Sequence, residues 1–255
     1  MSTWNPTQYL RFGNERLQPA LDLLARIPLE DPDSVYDLGC GTGAATGFLK
    51  ERWPGARVTG IDSSETMLKR ASASKAEITW QQRNLNYWNP DHPVDLLFSN
   101  AVLHWLDDHE TLFPRLMQGL KPGGVLAVQM PHNFSAPTHA LISETARAGP
   151  WREILEQELR EHPVLDSAAY YDILSPHAAR LDFWETTYLH VLQGEDPVVE
   201  WTKGSILGPL LALLDEAGKE AFLKAYREPI SKAYARRGDG STLLQFRRLF
   251  LIAVK

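Results

Sequence analysis

Asp37-Leu38-Gly39-Cys40-Gly41-Thr42-Gly43-Ala44 places three glycines at alternate positions, between a short apolar run from Val35 and a helix-like stretch. Glycine takes backbone conformations closed to other residues and lets a ligand approach the main chain without meeting a Cβ. The helix start behind such a loop offers unsatisfied amides. A chain built this way is expected to open on a strand–loop–helix unit that cradles a small molecule.

The surrounding pattern extends that unit. Residues 42–53 read as a helix ended by Pro54-Gly55, and Arg57–Ile61 as a second strand. Ser63 is placed to cap a helix carrying Met67, Leu68 and Ala71 on one face. Ile78–Trp80 and Val94–Ser99 supply two further strands. Asp107-Asp108-His109-Glu110 resembles a capping box before Leu112, Phe113, Leu116, Met117 and Leu120, with Pro114 expected to kink that helix or shift its start. Lys121-Pro122-Gly123-Gly124 reads as a turn and Val125–Met130 as a fifth strand. Strands alternating with helices at this pace predict an α/β fold, Rossmann-like, with a mostly parallel seven-stranded sheet and helices on both faces.

The second half differs. Helical segments dominate 131–176 and 195–237, while 181–192 and 243–254 read as the last two strands. A chain of 255 residues accommodates one such domain with insertions. The expected division is an N-terminal cap segment at 1–30, a ligand-binding core at 31–131, a helical region at 132–180 and a helical cap insertion at 193–242.

Composition excludes several function classes. A net charge of −6 opposes a surface made to neutralise nucleic-acid phosphates. The positive run Lys224, Arg227, Lys232, Arg236, Arg237 reads as the solvated face of a helix whose Ala225, Tyr226, Ile230 and Tyr234 point inward. One cysteine, Cys40, rules out an internal disulfide framework. Its place near a helix start would favour a lowered pKa, but filling a small space, and not reactivity, is the expected role. His132 and His139 lack the flanking carboxylates of a metal site, so no metal is expected. The first residues carry neither a basic nor an apolar leader region, and no apolar run approaches the roughly 20 residues of a membrane span. A cytoplasmic protein with no membrane or nucleic-acid partner is expected; the oligomeric state is not legible.

The glycine loop admits two ligands. Gly39, Gly41 and Ala44 satisfy the G-x-G-x-x-A dinucleotide pattern, with Asp62 some twenty residues on. Against a pyrophosphate stands Asp37, since like charges at short range repel. A carboxylate there suits a ligand with a cationic centre and no phosphate, such as S-adenosylmethionine, and Asp62 suits ribose hydroxyls. The chain also lacks the Tyr-x-x-x-Lys pair of nicotinamide-dependent reductases.

Residues 35–43 resemble the first motif of class I S-adenosylmethionine-dependent methyltransferases, and Gly60-Ile61-Asp62-Ser63 the second. Asn84-Leu85, Asp95–Asn100 and Leu120–Leu126 resemble the motifs that follow. Trp4-Asn5-Pro6, Tyr9-Leu10, Glu15-Arg16, Val125–Pro131, Pro137-Thr138-His139, Tyr170–Ser175 and Arg248-Leu249-Phe250 are similar to trans-aconitate 2-methyltransferases, over nearly the whole chain. This resemblance implies monomethyl ester formation on a small polycarboxylic acid, with S-adenosylmethionine as donor and S-adenosylhomocysteine as product; another small acid or a natural product is the alternative acceptor. It implies cofactor contacts from Asp37, Gly39, Gly41, Asp62, Ser63, Met67, Asn84, Leu85, Asn100 and Arg16. Tyr9, Arg11, Trp105, His132 and Arg248 are implied at the substrate.

An ionised carboxylate needs no general base, so positioning is expected to carry the reaction, and His104 is only a weak catalytic candidate. A tricarboxylate needs arginines, for which Arg11, Arg16, Arg180, Arg247 and Arg248 are available. Where the family pattern runs Thr-Gly-Leu-Arg-Pro after Trp201, this chain has Ser205-Ile206-Leu207-Gly208-Pro209, with glycine in place of arginine.

Overall fold

The computed structural model describes residues 17–74, 76–160 and 163–255. Seven strands form one sheet in the order β3-β2-β1-β4-β5-β7-β6. They are β1 (Ser34–Leu38), β2 (Arg57–Asp62), β3 (Ile78–Gln82), β4 (Val94–Asn100), β5 (Leu120–Pro131), β6 (Arg180–Leu192) and β7 (Thr242–Val254). The β1–β2, β2–β3, β1–β4 and β4–β5 pairs are parallel. β7 runs against β5: the amide of Gly123 bonds the carbonyl of Lys255, and that of His132 the carbonyl of Arg247. The sheet is therefore mostly parallel, as expected. Its order reverses at β1/β4, where open α/β sheets hold their ligands.

Among the described residues, the chain forms two compact units. One contains 17–130, 163–186 and 248–255; the other contains 131–160 and 187–247. In the first unit α1 (Gln18–Arg26) was not anticipated within the N-terminal segment. Its signal was available, since Pro19 stands in the first turn and Ala20, Leu21, Leu23 and Leu24 form a buried face. Arg26 at its end stacks on Trp184, whose ring lies parallel to Phe250 at 4.8 Å. Helices α2 (Ala44–Arg52) and α3 (Glu65–Ala71) join the first three strands, and α4 (His109–Gln118) joins β4 to β5. Right-handed crossovers put α2 and α3 on one face and α4 on the other. Leu96, Leu97, Phe98 and Val125–Val128 are accordingly sealed from solvent.

Three local expectations need correction. Helix α3 is capped by Ser64, which accepts from the Met67 amide, and not by Ser63. Helix α4 starts at His109 under an Asp108 cap bonded to the Thr111 amide, with Pro114 inside it, so no reciprocal capping box forms. The turn expected at Lys121–Gly124 is an irregular stretch within β5. Pairing slips there from Val94–Leu120 to Leu96–Val125, so the segment bulges without leaving the sheet.

The second unit holds α5 (Pro137–Ala148), α6 (Arg152–Leu155), α8 (Pro197–Lys203), α9 (Leu207–Leu211) and α10 (Glu216–Ala233), while α7 (Ser167–Leu174) belongs to the first. Trp151, Leu207, Phe222, Tyr226 and Ile230 form its core, and the Tyr226 hydroxyl donates to the Thr138 carbonyl. The buried stripe of α10 is Phe222, Tyr226 and Ile230; Ala225, expected inward, is exposed. Spacing of four keeps those three on one side, and Ala225 falls beside the charges. Arg227 there pairs with Asp196 and Lys232 with Glu228.

Trp80 of β3 fills the space of two missing side chains. A Cβ on Gly60 would lie 2.4 Å from its ring, and one on Gly43 2.5 Å. Gly60→Ala is therefore expected to force the indole aside at a cost of about 1–3 kcal/mol, lowering Tm by roughly 2–10 °C in a chain of this size. Calorimetry of the variant checks this.

Candidate functional site

The glycine loop folds as the sequence requires. Gly39, Gly41 and Gly43 all have positive φ, at 76°, 54° and 81°. Because Gly43 takes the left-handed cap position, α2 begins at Ala44 and not at Thr42. The end of β2 holds the loop in place: the Ile61 carbonyl accepts from both the Gly39 and Cys40 amides. Asp62 adds a two-sided clamp, one carboxylate oxygen on the Gly41 amide at 2.9 Å and the other on the Ser64 amide at 2.8 Å. Each oxygen keeps a lone pair beyond those bonds. Among the described residues no atom lies within 4 Å of where a Cβ on Gly41 would stand.

Asp37 sits beneath this loop, 2% exposed, and accepts a 2.6 Å hydrogen bond from Thr46 of α2. Burial, with the Asp62 charge adding to it against the relief from Thr46, raises its pKa to about 7. Cys40 lies beside them and fills space, as expected, without the lowered thiol pKa that its place near a helix start would favour. Burial and the two carboxylates push its pKa up, which leaves it an inert space-filling side chain.

The loop after β4 is held in a strained form. Ala101 has φ 57° with its amide on the Gln129 carbonyl, and Val102 occupies the space where Gly39 lacks a Cβ. A 3₁₀ turn at Leu103–Trp105 follows. His109 anchors it, with Nε2 2.9 Å from the Leu103 carbonyl and Nδ1 2.6 Å from the Tyr170 hydroxyl of α7. Since the carbonyl only accepts, Nε2 carries the proton and Tyr170 donates to Nδ1 in the neutral ring. This buried pair went unnoticed in the sequence, where His109 read as part of a cap and Tyr170 as part of a family pattern.

The turn carries His104, buried, and Trp105, 46% exposed, with their rings 4.8 Å apart. Asn84, exposed, spends its side-chain oxygen on the Asn86 amide, while Leu85 is buried and its carbonyl accepts from Arg115 of α4. Met67 is partly exposed at the start of α3, and the Ser63 carbonyl accepts from Gln82. Asn100 ends β4 with its side-chain oxygen buried and, among the described residues, unpaired. Arg248, 8% exposed, donates to Gln129 of β5. Of the other arginines, Arg180 is exposed, and Arg247 is exposed with Nε on the His132 carbonyl. Tyr9, Arg11 and Arg16 lie outside the described residues.

In the second unit, the His132 amide donates to the Arg247 carbonyl while its own carbonyl accepts from Arg247 Nε, and burial lowers the pKa of His139 to about 4, keeping it neutral. Among the described residues no group of three or more His, Cys, Asp or Glu side chains could hold a metal. None of their helices is long and apolar enough to cross a membrane. At Gly208 in α9 a Cβ would meet the Lys203 carbonyl at 2.6 Å. The local backbone at Gly208 therefore leaves little room for any side chain.

A raised carboxylate pKa makes a signed prediction. The folded value near 7 exceeds the unfolded one, so Asp37 favours folding fully below the unfolded pKa, and that contribution is lost as pH rises through about 7. Asp37→Asn is expected to be more stable than the parent above about pH 7 without ligand, the advantage shrinking towards about pH 4. Melting curves of both proteins across that range measure it.

Comparison with known proteins follows the same lines. A family model described as a methyltransferase domain matches residues 35–124. The chain is 48% identical over 255 residues to a trans-aconitate 2-methyltransferase of Azoarcus sp. (strain BH72), covering all of both chains. It is 44% identical over 253 residues to one of Rhizobium etli, covering 99% of each. Among solved structures, the YcgJ protein of Bacillus subtilis aligns with a TM-score of 0.58 at 14% identity, covering 92% of this chain and 96% of that one. A putative methyltransferase of Bacillus halodurans aligns with the same score at 13% identity, covering 92% and 98%. These two likenesses concern the fold. Full-length identity at this level, on a chain whose glycine loop, Asp37 and Asp62 are arranged as described, shows that the chain belongs to the trans-aconitate 2-methyltransferase family.

Proposed function

We propose that this protein transfers a methyl group from S-adenosylmethionine to one carboxylate of trans-aconitate, giving a monomethyl ester. The observation that carries the reading is the charge arrangement of the first unit. A buried carboxylate, Asp37, lies under the glycine loop, and a buried guanidinium, Arg248, lies on β7 against a neutral amide. In a chain of net charge −6, a cation placed inside the fold supports an anionic ligand.

The residues present fit the cofactor. The open space above Gly41 admits a ligand against the main chain, and the unpaired Asn100 oxygen suits an ammonium. S-adenosylmethionine supplies a methyl group already activated on a sulfonium. Asp62 offers its remaining lone pairs to the ribose hydroxyls, and Leu85 an apolar wall to the base. Asp37 favours a cation above it, which in turn draws its pKa back towards the carboxylate range. Ser63 and Met67 border the same loop. Arg248 orients the acid, with Trp105, His132 and the N-terminal residues Tyr9, Arg11 and Arg16 assigned to the ligands by family resemblance. An acid ionised at neutral pH needs no base, so His104 has no proton to take. Gly208 favours a second reading, another small acid as acceptor, because the family's arginine cannot occupy that backbone. Location in the cytoplasm and the absence of nucleic-acid or membrane partners belong to this proposal.

Labelled S-adenosylmethionine incubated with trans-aconitate, cis-aconitate, citrate and isocitrate tests it. A base-labile methyl ester on trans-aconitate is expected; transfer to a different acid alone would move the assignment to the second reading. Arg248→Met is expected to lower kcat/KM for the acid about 100-fold, the worth of a charged hydrogen-bonded contact. Binding of S-adenosylhomocysteine, measured by calorimetry, should stay within about threefold of the parent.

A further inference from the structure

Four polar side chains stand in a row across one face of the sheet. Asp37 of β1 is in register with Phe98 of β4, and Asn100, two residues on, shares its face. Asn100 is in register with Gln129 of β5, and Gln129 accepts from Arg248 of β7 at 3.3 Å. From β1 to β7 the row runs carboxylate, amide, amide, guanidinium.

The second amide is the informative one. Gln129 is wholly buried in the otherwise apolar run Val125–Met130 of β5. Arginine has donors only, so the amide must turn its oxygen to Arg248. Among the described residues its Nε2 is left a buried donor with no partner, just as the Asn100 oxygen next to it is a buried acceptor with none. Neighbours that lack a partner and do not satisfy one another call for a ligand that accepts at Gln129 and donates at Asn100.

We propose that Gln129 is a substrate-binding residue whose Nε2, beside the Arg248 guanidinium, donates to a carboxylate of the acid, and that the row sorts the two ligands by charge. The cationic cofactor groups fall at Asp37 and Asn100, and the anionic acid at Gln129 and Arg248. This rests on the proposed function above. Gln129 also keeps the guanidinium in one orientation through Oε1, which holds it ready for the acid's carboxylate.

The test separates the two ends of the row in the full chain. Gln129→Met keeps the side chain's size and removes the donor. It is expected to raise KM for trans-aconitate about 30-fold with kcat within about threefold and S-adenosylhomocysteine affinity unchanged. Gln129→Glu, which sets a carboxylate beside Arg248, should raise KM further. Asn100→Ala should do the reverse, weakening S-adenosylhomocysteine binding about tenfold and leaving KM for the acid near the parent value. An unchanged KM in Gln129→Met, or equal losses of acid and S-adenosylhomocysteine binding in both positions, overturns the inference while parental turnover leaves the proposed function standing. A parent protein that neither methylates nor binds trans-aconitate overturns both.

Discussion

The carboxylate of Asp62 holds the ligand-binding end of the fold together. It ties the middle of the glycine loop to the turn that starts α3, through the Gly41 and Ser64 amides. Those two amides would otherwise be unpaired at a surface where the chain reverses direction twice. With the Ile61 carbonyl accepting from Gly39 and Cys40, the end of β2 takes three backbone donors of the loop, and the Cys40 carbonyl takes that of Gly43. A loop so held reaches its ligand with little left to order, which is how a rigid scaffold keeps affinity from being consumed by entropy.

What the clamp arranges is electrostatic. Two carboxylates and a thiol are gathered under three glycines, and burial makes one of the carboxylates reluctant to ionise. The unfavourable burial is local and lies where a cation would relieve it. On the other side of the same sheet face a guanidinium is buried against an amide. Ground-state groups held in such unequal environments have their best partners in ligands of opposite charge, and a sulfonium donor with a carboxylate acceptor is such a pair. The reaction then asks for alignment and exclusion of water more than for proton transfer.

Much of this was legible in the residues, and the gaps have physical causes. The strands were readable because those covered on both faces run apolar without interruption, as in Val125–Val128. The glycine loop was readable because only glycine tolerates its geometry. Element edges were not: Ser63 and Ser64 are chemically equivalent caps, and only the Asp62 bond to the Ser64 amide decides between them. The Lys121–Gly124 turn looked like an end of structure, yet the bulge keeps it in the sheet because β4 continues beside it. Thr46 and the His109–Tyr170 pair depend on contacts nine and 61 positions apart, which no periodicity reveals. Gln129 did leave a trace, as a lone amide in an apolar strand, but its meaning waited on seeing Arg248 next to it. The arginines were the hardest to rank, since exposure alone separates Arg180 and Arg247 from Arg248.

The glycine of α9 bears on how such a protein can change. Gly208 lies so close to the Lys203 carbonyl that its backbone leaves no place for a side chain. An arginine introduced there would have to shift the Lys203 carbonyl or the start of α9 before its guanidinium could be housed. A change of acid specificity that runs through position 208 is therefore a change of backbone first and of side chain second.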